Sequence, residues 1–217
     1  MISKVKSRTA GLLFAFILSA CAGINPTLDM TTLLVPSGAK ADSFQPGFEY
    51  LAIELNGRKT HMALGYRLFE GNAIHEYWYS GEREMLHMAN GRIVEVQGMT
   101  NEVRATTKAV PSWQAIANSA QYLVWSREKD VMPGYRNGLV EYVISQKVTP
   151  TAKERDVIKN ENALWVEEEV KSKTADGKEW IYRELFAIVN NQAIFSQQCV
   201  SERLCFRLQP LGVVIKK

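Results

Sequence analysis

This sequence of 217 residues has little excess of charge of either sign, with 26 Lys and Arg side chains against 23 Asp and Glu side chains. The formal net charge of +3 is matched by Lys4, Lys6 and Arg8 at the amino terminus, so the rest of the chain is neutral. Proteins that bind nucleic acids or other polyanions keep a basic excess on the folded body. The balance of charge therefore argues against broad nucleic-acid binding.

Long apolar runs are also lacking, since no stretch of the chain reaches the roughly 18 apolar residues needed to span a bilayer. Residues 1–20 contain the three basic side chains, a short apolar run from Gly11 to Leu18, and two small residues before Cys21. This arrangement is typical of a secretory signal peptide. The sequence Leu18–Cys21, Leu-Ser-Ala-Cys, also matches the bacterial lipobox, in which small residues let the backbone enter the signal peptidase.

We therefore predict that the leader is removed before Cys21 and that this cysteine carries a diacylglyceryl group and an N-terminal acyl chain such as palmitate. The alternative is an ordinary cleaved signal followed by a chance cysteine. More than one acyl chain is needed for stable attachment, and bacterial lipoproteins similar to this one carry three. The residues after Cys21 are Ala22 and Gly23, and neither is aspartate. In sorting similar to that of enterobacteria, this pattern implies delivery to the outer membrane. No further cofactor is indicated.

Cysteine is rare, with three residues in the whole chain, and Cys21 is assigned to the anchor. Because the periplasm is oxidising, the remaining Cys199 and Cys205 are predicted to form a disulfide across a short hairpin. With a loop over residues 201–203, Val200 would face Leu204 and the two cysteines would face each other. A metal site is disfavoured because no histidine lies nearby, and a redox pair is disfavoured because the spacing is not C-x-x-C.

Signatures of catalysis are missing as well, because the chain has no zinc-protease helix motif, nucleophile elbow, P-loop or dinucleotide fingerprint. The histidines His61, His75 and His87 would form a cluster only if neighbouring strands aligned them. Alternation along a strand would put Glu167 and Glu169 on one face, most simply a solvated one. We therefore predict that the protein is not an enzyme and binds no metal. The five tryptophans could stack on sugar rings, but most are expected in the core.

Short strands separated by two-residue turns dominate the sequence after Phe48. Asn56-Gly57 and Asn90-Gly91 are the strongest of these signals, because type I′ turns need two residues at positive φ. The pattern predicts an all-β fold, an antiparallel meander forming an open barrel or sandwich, with one short helix near residues 111–119. Residues 100–120 otherwise interrupt the strands.

The chain is predicted to divide into three parts. Residues 1–20 are the lipoprotein signal peptide, and residues 21–47, rich in Gly, Pro, Ser and Thr, are the lipidated amino terminus and tether. Residues 48–217 form a single β-rich domain, since no later linker separates a second core.

Several short motifs, in order and spacing, are similar to a known lipoprotein family. They are Trp78–Gly81, Met85–Leu86, Asn90–Val94, Gly98–Met99, Pro133–Gly138, Trp165–Val170, Ala193–Gln198 and Leu208–Leu211. The chain resembles the YjbF/GfcB group of lipoproteins, which is encoded in exopolysaccharide and group 4 capsule loci. The resemblance runs from the lipobox to about residue 211. The stretch Trp180–Arg183 matches the family's aromatic-rich strand imperfectly, and the resemblance does not extend to the Cys199/Cys205 pair.

The resemblance implies a non-enzymatic β domain on the periplasmic side of the outer membrane that assists export or assembly of a surface polysaccharide. It further implies an outer-membrane β-barrel from the same locus, other proteins of that locus and the polysaccharide itself as partners. Tyr77, Tyr79 and Tyr135 are candidate contacts to glycan or partner, and packing is the equally weighted alternative. Three other hypotheses stay open: a lipid or lipoprotein carrier with an apolar cavity, a polysaccharide-modifying enzyme, and a structural envelope protein that binds only another protein.

Overall fold

The computed structural model describes residues 44–106, 109–158, 160–174 and 176–213, so Cys21 and most of the predicted tether lie outside the described residues. The strands are β1 (Glu49–Leu55), β2 (Arg58–Glu70), β3 (Ala73–Tyr79), β4 (Met85–Ala89), β5 (Arg92–Gln97), β6 (Glu102–Thr106), β7 (Leu123–Met132), β8 (Arg136–Lys147), β9 (Leu164–Lys173), β10 (Glu179–Val189), β11 (Gln192–Ser201) and β12 (Leu204–Val213). The helices are α1 (Trp113–Asn118) and α2 (Ala152–Val157). No helix in these ranges is long and apolar enough to cross a membrane.

The twelve strands form one closed antiparallel barrel in which each strand pairs with its neighbours in sequence and β12 pairs with β1. The all-β antiparallel prediction is confirmed, and of its two architectures the barrel is the one observed. The barrel closes because β12 runs back along β1, where Leu208 pairs with Ile53 and Phe206 with Leu55. Closure leaves no sheet edge along these paired residues.

The predicted turns occur where the sequence places Asn-Gly. Asn56 and Gly57 have φ values of 49° and 81°, and Asn90 and Gly91 have φ values of 49° and 82°. Both residues of each pair are therefore in the left-handed region that a type I′ hairpin turn requires. The first turn joins β1 to β2, and the second joins β4 to β5.

Two elements were not predicted, β6 and α2. β6 has only five residues and pairs with β5 through two residue pairs, so its alternation is too short to read from sequence. α2 begins with a capping box, in which the Thr151 side chain accepts from Glu154 N and the Glu154 carboxylate accepts from Thr151 N. The predicted helix near residues 111–119 is confirmed as α1, with Ser112 as its N-cap.

The two ends of the barrel differ. The chain enters at the start of β1, and both helices connect strands at this same end, which we call the proximal end. The opposite end, the distal end, carries the turns after β1, β3, β5, β7, β9 and β11. α1 covers the proximal mouth, because its buried Trp113 and Ile116 pack against Val166, Phe186 and Ile188 inside the barrel. The described chain therefore begins at the end of the barrel that α1 covers.

A polar bridge crosses the lumen between β5 and β11, which are not neighbours in the barrel. Gln198 Nε2 donates to Gly91 O at 2.9 Å, and Ile93 N donates to Gln198 Oε1 at 2.8 Å. The strands approach so closely that a Cβ on Gly91 would lie 2.3 Å from the Cβ of Ala193. Glycine at position 91 is thus required both by the turn and by the contact.

The main apolar core lies on the β1–β6 side of the lumen and takes in the distal parts of β7, β11 and β12. Its most deeply buried members are Leu51, Trp78, Leu86, Val96, Phe206 and Leu208. Burying one such large side chain contributes about 1.5–3 kcal/mol to stability. The β7–β10 side differs, because buried charged side chains lie there beside a smaller apolar cluster of Trp125, Val143, Val170 and Tyr182.

Candidate functional site

Outward-facing positions on five neighbouring strands form a continuous row on the outside of the barrel, which we call the wall row. Its members are Tyr66, Tyr77, His87, Glu95 and Arg104, one from each of β2 to β6. Each is the direct cross-strand partner of the next. Side chains that are direct cross-strand partners lie within contact distance, so each member of the wall row can contact the next.

The first three members are a stack of aromatic rings. The Tyr66 and Tyr77 centroids are 4.3 Å apart with planes 17° from parallel, and the Tyr77 and His87 centroids are 4.1 Å apart with planes 10° from parallel. Tyr66 is 43% exposed at one end of the stack. Stacking fixes the relative positions of the three rings, and therefore also those of the tyrosine hydroxyls and the imidazole.

A second histidine joins the wall row. The ring nitrogens His75 Nδ1 and His87 Nε2 are 2.9 Å apart, so at least one of the two imidazoles is neutral and accepts the hydrogen bond. Burial lowers the pKa of His87, and the neighbouring His75 lowers it further against the opposing effect of Glu95. Glu95 lies 3.7 Å from His87 and 3.6 Å from Arg104. Of the three histidines, the structure thus brings two together, and His61 packs elsewhere against Phe44.

Tyr79 adjoins the wall row and is largely a packing residue. Its ring covers Gly65, where an added Cβ would lie 2.5 Å from Tyr79 Cε2. Burial, together with a hydrogen bond to Tyr66, raises the pKa of Tyr79 to about 12. Tyr79 therefore supports Tyr66 and closes the surface beside it.

Tyr135 does not belong to this surface. It lies in the distal turn between β7 and β8 with φ 50° and is 79% exposed. The structure therefore places Tyr77 and Tyr79 together and Tyr135 at the far end of the barrel.

The lumen contains buried ion pairs that the sequence did not reveal. Arg92 Nη2 donates to Glu168 Oε1 at 2.7 Å, and the same carboxylate accepts from Ser145 Oγ at 2.8 Å. The Arg92 guanidinium lies 3.6 Å from the centroid of the Trp113 ring, so α1 covers this pair. Glu168 is the inward member of the acidic run, and its neighbours Glu167 and Glu169 share the outer, less buried face as predicted.

A second buried network lies deeper on the β7–β10 side. Arg127 Nε donates to Glu141 at 2.6 Å, Arg127 Nη2 donates to Glu184 at 3.2 Å, and Lys129 Nζ is 2.7 Å from Glu141. Tyr182 Oη accepts from Arg127 and donates to Glu141. With the Arg92–Glu168 pair, the buried charged side chains among the described residues are thus three cations and three carboxylates. Equal numbers of buried positive and negative side chains leave no unpaired charge in the low-dielectric interior.

Burial sets the protonation of this network. It lowers the pKa of Lys129 and raises the pKa of Glu184, although ionised neighbours oppose both shifts. Burial also opposes ionisation of Glu141, but Arg127 and Lys129 outweigh it and hold the pKa of Glu141 at about 2. Each carboxylate is hydrogen-bonded to a cation, so none is left as an uncompensated buried charge. Among the described residues, no group of three or more His, Cys, Asp and Glu side chains could hold a metal ion.

The predicted disulfide joins Cys199 and Cys205, which are cross-strand partners on β11 and β12. The predicted loop around it differs from the observed one. Ser201, not Val200, pairs with Leu204, because the register shifts between Cys199 and Ser201. The turn is therefore Glu202-Arg203, one residue shorter than predicted.

Together these features define a small closed antiparallel β-barrel with a filled, charged lumen and a polar aromatic outer wall. The chain belongs to the YjbF family, because residues 49–205 match the family described as "Group 4 capsule polysaccharide lipoprotein gfcB, YjbF". The predicted family is confirmed. No curated protein sequence matches the chain.

A solved structure shares the fold. The crystal structure of the hypothetical lipoprotein YmcC from Escherichia coli (K12) superposes with a TM-score of 0.60 at 18% sequence identity. The alignment covers 78% of this chain and 86% of the other. The fold of this chain is therefore also found in a crystal structure.

Proposed function

We propose that this protein is a lipoprotein of the outer membrane that faces the periplasm and assists export or assembly of a capsule or exopolysaccharide without catalysing a reaction. Its family is described as a group 4 capsule polysaccharide lipoprotein, and its leader contains a lipobox ending at Cys21. In this proposal residues 1–20 are removed as the signal peptide. Residues 21–47 form the lipidated amino terminus and the tether, and residues 48–217 form the domain that carries out the function. The lipid on Cys21 is the only attached group.

The observation that carries the proposal is the wall row. Sugars offer hydroxyl groups around an apolar ring, and a suitable surface presents aromatic rings with polar atoms at fixed positions. Tyr66 and Tyr77 supply hydroxyls, and the His75–His87 pair supplies ring nitrogens beside them. Because the stack is already ordered, little side-chain entropy is lost when a glycan binds.

Anchoring supports the same role. The chain enters the barrel at the proximal end, so a lipid on Cys21 would hold that end towards the membrane. A tether of this kind raises the effective concentration of the domain near partners in the same membrane. We propose that these partners include an outer-membrane β-barrel of a polysaccharide secretion locus.

The alternative functions gain no support from the lumen. A lipid carrier needs an apolar cavity, whereas this lumen is occupied by the apolar core, including Trp78 and Phe206, and by buried ion pairs. A glycosidase needs two carboxylates flanking a substrate bond. Glu141 and Glu184 are instead both bound to Arg127 inside the barrel.

The test is a wall-row variant in a capsule-producing strain whose own copy of the gene is deleted. The double substitution Tyr66→Ser and Tyr77→Ser should lower surface polysaccharide severalfold while the protein accumulates normally in the membrane. Tyr142→Ser is the matched control, because Tyr142 is also on the outer wall and is 59% exposed. Normal surface polysaccharide in the double variant would refute the role of the wall row. Normal polysaccharide in the deletion strain itself would refute the proposed function.

A further inference from the structure

A cavity of about 370 Å³ lies on the outside of the barrel, between the end of α2 and the wall formed by β1, β2 and β12. Val157 of α2 and Phe195 of β11 form part of its apolar lining. Its polar lining consists of Glu54, Lys59, Thr60, His61, Arg207 and Gln209. Cavities of this size accommodate small ligands.

The polar residues face outwards together because of the strand register. Glu54 pairs with both Lys59 and Arg207, and Ala52 pairs with both His61 and Gln209. The intervening Ile53 and Leu208 are in the core, so alternation turns the polar set to the outside. Four polar or charged side chains are thus gathered around Glu54 on three adjacent strands.

Two buried atoms in this set have no hydrogen-bond partner. Among the described residues, four buried side-chain polar atoms are unpaired, and His61 Nδ1 and Arg207 Nε are two of them. Buried polar atoms are almost always satisfied, so two such atoms at one cavity need an explanation. Thr60 supplies a third unpaired atom and also lines the cavity, but alternation turns its side chain towards the lumen.

The charge of the cavity indicates the chemistry of its ligand. Arg207 Nη1 is 3.6 Å from Glu54 Oε2, too far for a hydrogen bond, and the buried Arg207 Nε has no hydrogen-bond partner among the described residues. Burial lowers the pKa of His61, which therefore stays neutral near pH 7. Lys59 and Arg207 outweigh the single carboxylate of Glu54, giving the cavity a net charge of about +1. An arginine with free donors suits a carboxylate or a phosphate.

We propose that this cavity binds an oxyanion carried on a small polyol, such as an acidic sugar or a glycerol phosphate. Arg207 holds the carboxylate or phosphate, and His61 and Gln209 bond to the hydroxyl groups. The inference does not rest on the proposed function, because binding to the purified protein is measured without capsule export.

The test uses the full-length protein purified from membranes in a sugar-free, non-ionic detergent. The probes are D-glucuronate against D-glucose and glycerol 3-phosphate against glycerol, so each anion has a neutral partner. NMR follows the Nε–Hε signal of Arg207 during each titration. We expect one or both anions to shift this signal saturably and the neutral partners to leave it unchanged. Tighter binding of glucuronate indicates an acidic glycan, and tighter binding of glycerol 3-phosphate indicates a lipid headgroup.

Two variants separate a specific site from general surface charge. Arg207→Gln should weaken anion binding at least tenfold, whereas Arg183→Gln should leave it unchanged. Arg183 is a suitable control because it is also on the outer wall and is loosely paired with Glu167 at 3.7 Å. Circular dichroism checks that both variants are folded. Lack of any saturable shift of the Arg207 signal in the wild-type protein, or equal weakening in both variants, would overturn the proposal.

Discussion

Arg92 and Glu168 form an ion pair across the lumen, from β5 to β9, with Nη2 and Oε1 2.7 Å apart and both side chains almost completely buried. The Trp113 ring of α1 covers the arginine. The pair therefore links two walls of the barrel to the helix that closes the proximal mouth. Such a pair is costly to break, since the remaining charge is left in a dry interior.

Glu168→Gln should lower the free energy of unfolding by about 3–5 kcal/mol, because Arg92 loses its counter-ion. Glu169→Gln is the matched control and should cost less than about 0.5 kcal/mol, since Glu169 faces outwards. Replacing both partners, Arg92→Met with Glu168→Leu, should recover most of the loss. Denaturant unfolding measures all three, and a similar cost for the two single variants would contradict the buried pair.

Gly91→Ala should destabilise the barrel more than Gly57→Ala. Both residues have φ near +80°, so each alanine costs about 1–2 kcal/mol in backbone strain. Only at position 91 would the new Cβ also meet Ala193, which should add about 1–3 kcal/mol. Adding Ala193→Gly should recover that second part alone. Equal unfolding free energies for the two alanine variants would show that β5 and β11 do not touch in solution.

Thiol titration of the unfolded, unreduced protein should find neither Cys199 nor Cys205 reactive. Replacing both with serine should cost about 2 kcal/mol, because the bond closes a short loop in the unfolded chain. Reduced wild-type protein serves as the control and should match the double variant in stability. Two reactive thiols before reduction would exclude the bond.

Acid should unfold the protein partly by protonating Glu141. The folded-state pKa of about 2 lies below the ordinary value of 4.5, so the unfolded chain takes up the proton first. The stabilisation is therefore complete above pH 4.5 and is lost as the pH falls towards 2. Over this range the stability of Glu141→Gln should fall less steeply than that of wild type, whereas Glu167→Gln should follow wild type. Parallel pH profiles for wild type and Glu141→Gln would contradict the shift.

Cys21→Ser should leave the precursor unprocessed and without acyl label, because the thiol is the site of lipid attachment in the lipobox prediction. Metabolic labelling with radioactive palmitate and the size of the protein on a gel measure both outcomes. Cys199→Ser is the control and should be processed and labelled normally. Continued labelling of Cys21→Ser would rule out Cys21 as the attachment site.

Local signals were sufficient to predict most of the strands. Asn-Gly turns and alternation indicated the meander of short antiparallel strands after Phe48, which the described residues show. They missed β6, which is too short to show a period, and α2, whose capping box precedes a helix with no buried residue. Periodicity detects an element only when one face of it is buried over several residues.

The site was predictable only in part. Tyr77 was a candidate from the start, but its stacking with Tyr66 and His87 depends on the register of three strands. Alternation along the strand already separated Glu168 from Glu167 and Glu169, but it could not identify what the Glu168 carboxylate binds. Its partner Arg92 is 76 residues away and could not be identified without the fold.

By itself the sequence determined the all-β class, the Asn-Gly turns and the disulfide pairing, because each depends on residues close together in the chain. The leader and its lipobox stay a prediction. Only the tertiary structure decided that the barrel closes, that β5 meets β11 across the lumen, and that six charges are paired inside it. It also decided which outer side chains form the wall row and the cavity beside Arg207. These features depend on the register between distant strands, and a shift of one residue would turn every side chain to the other face.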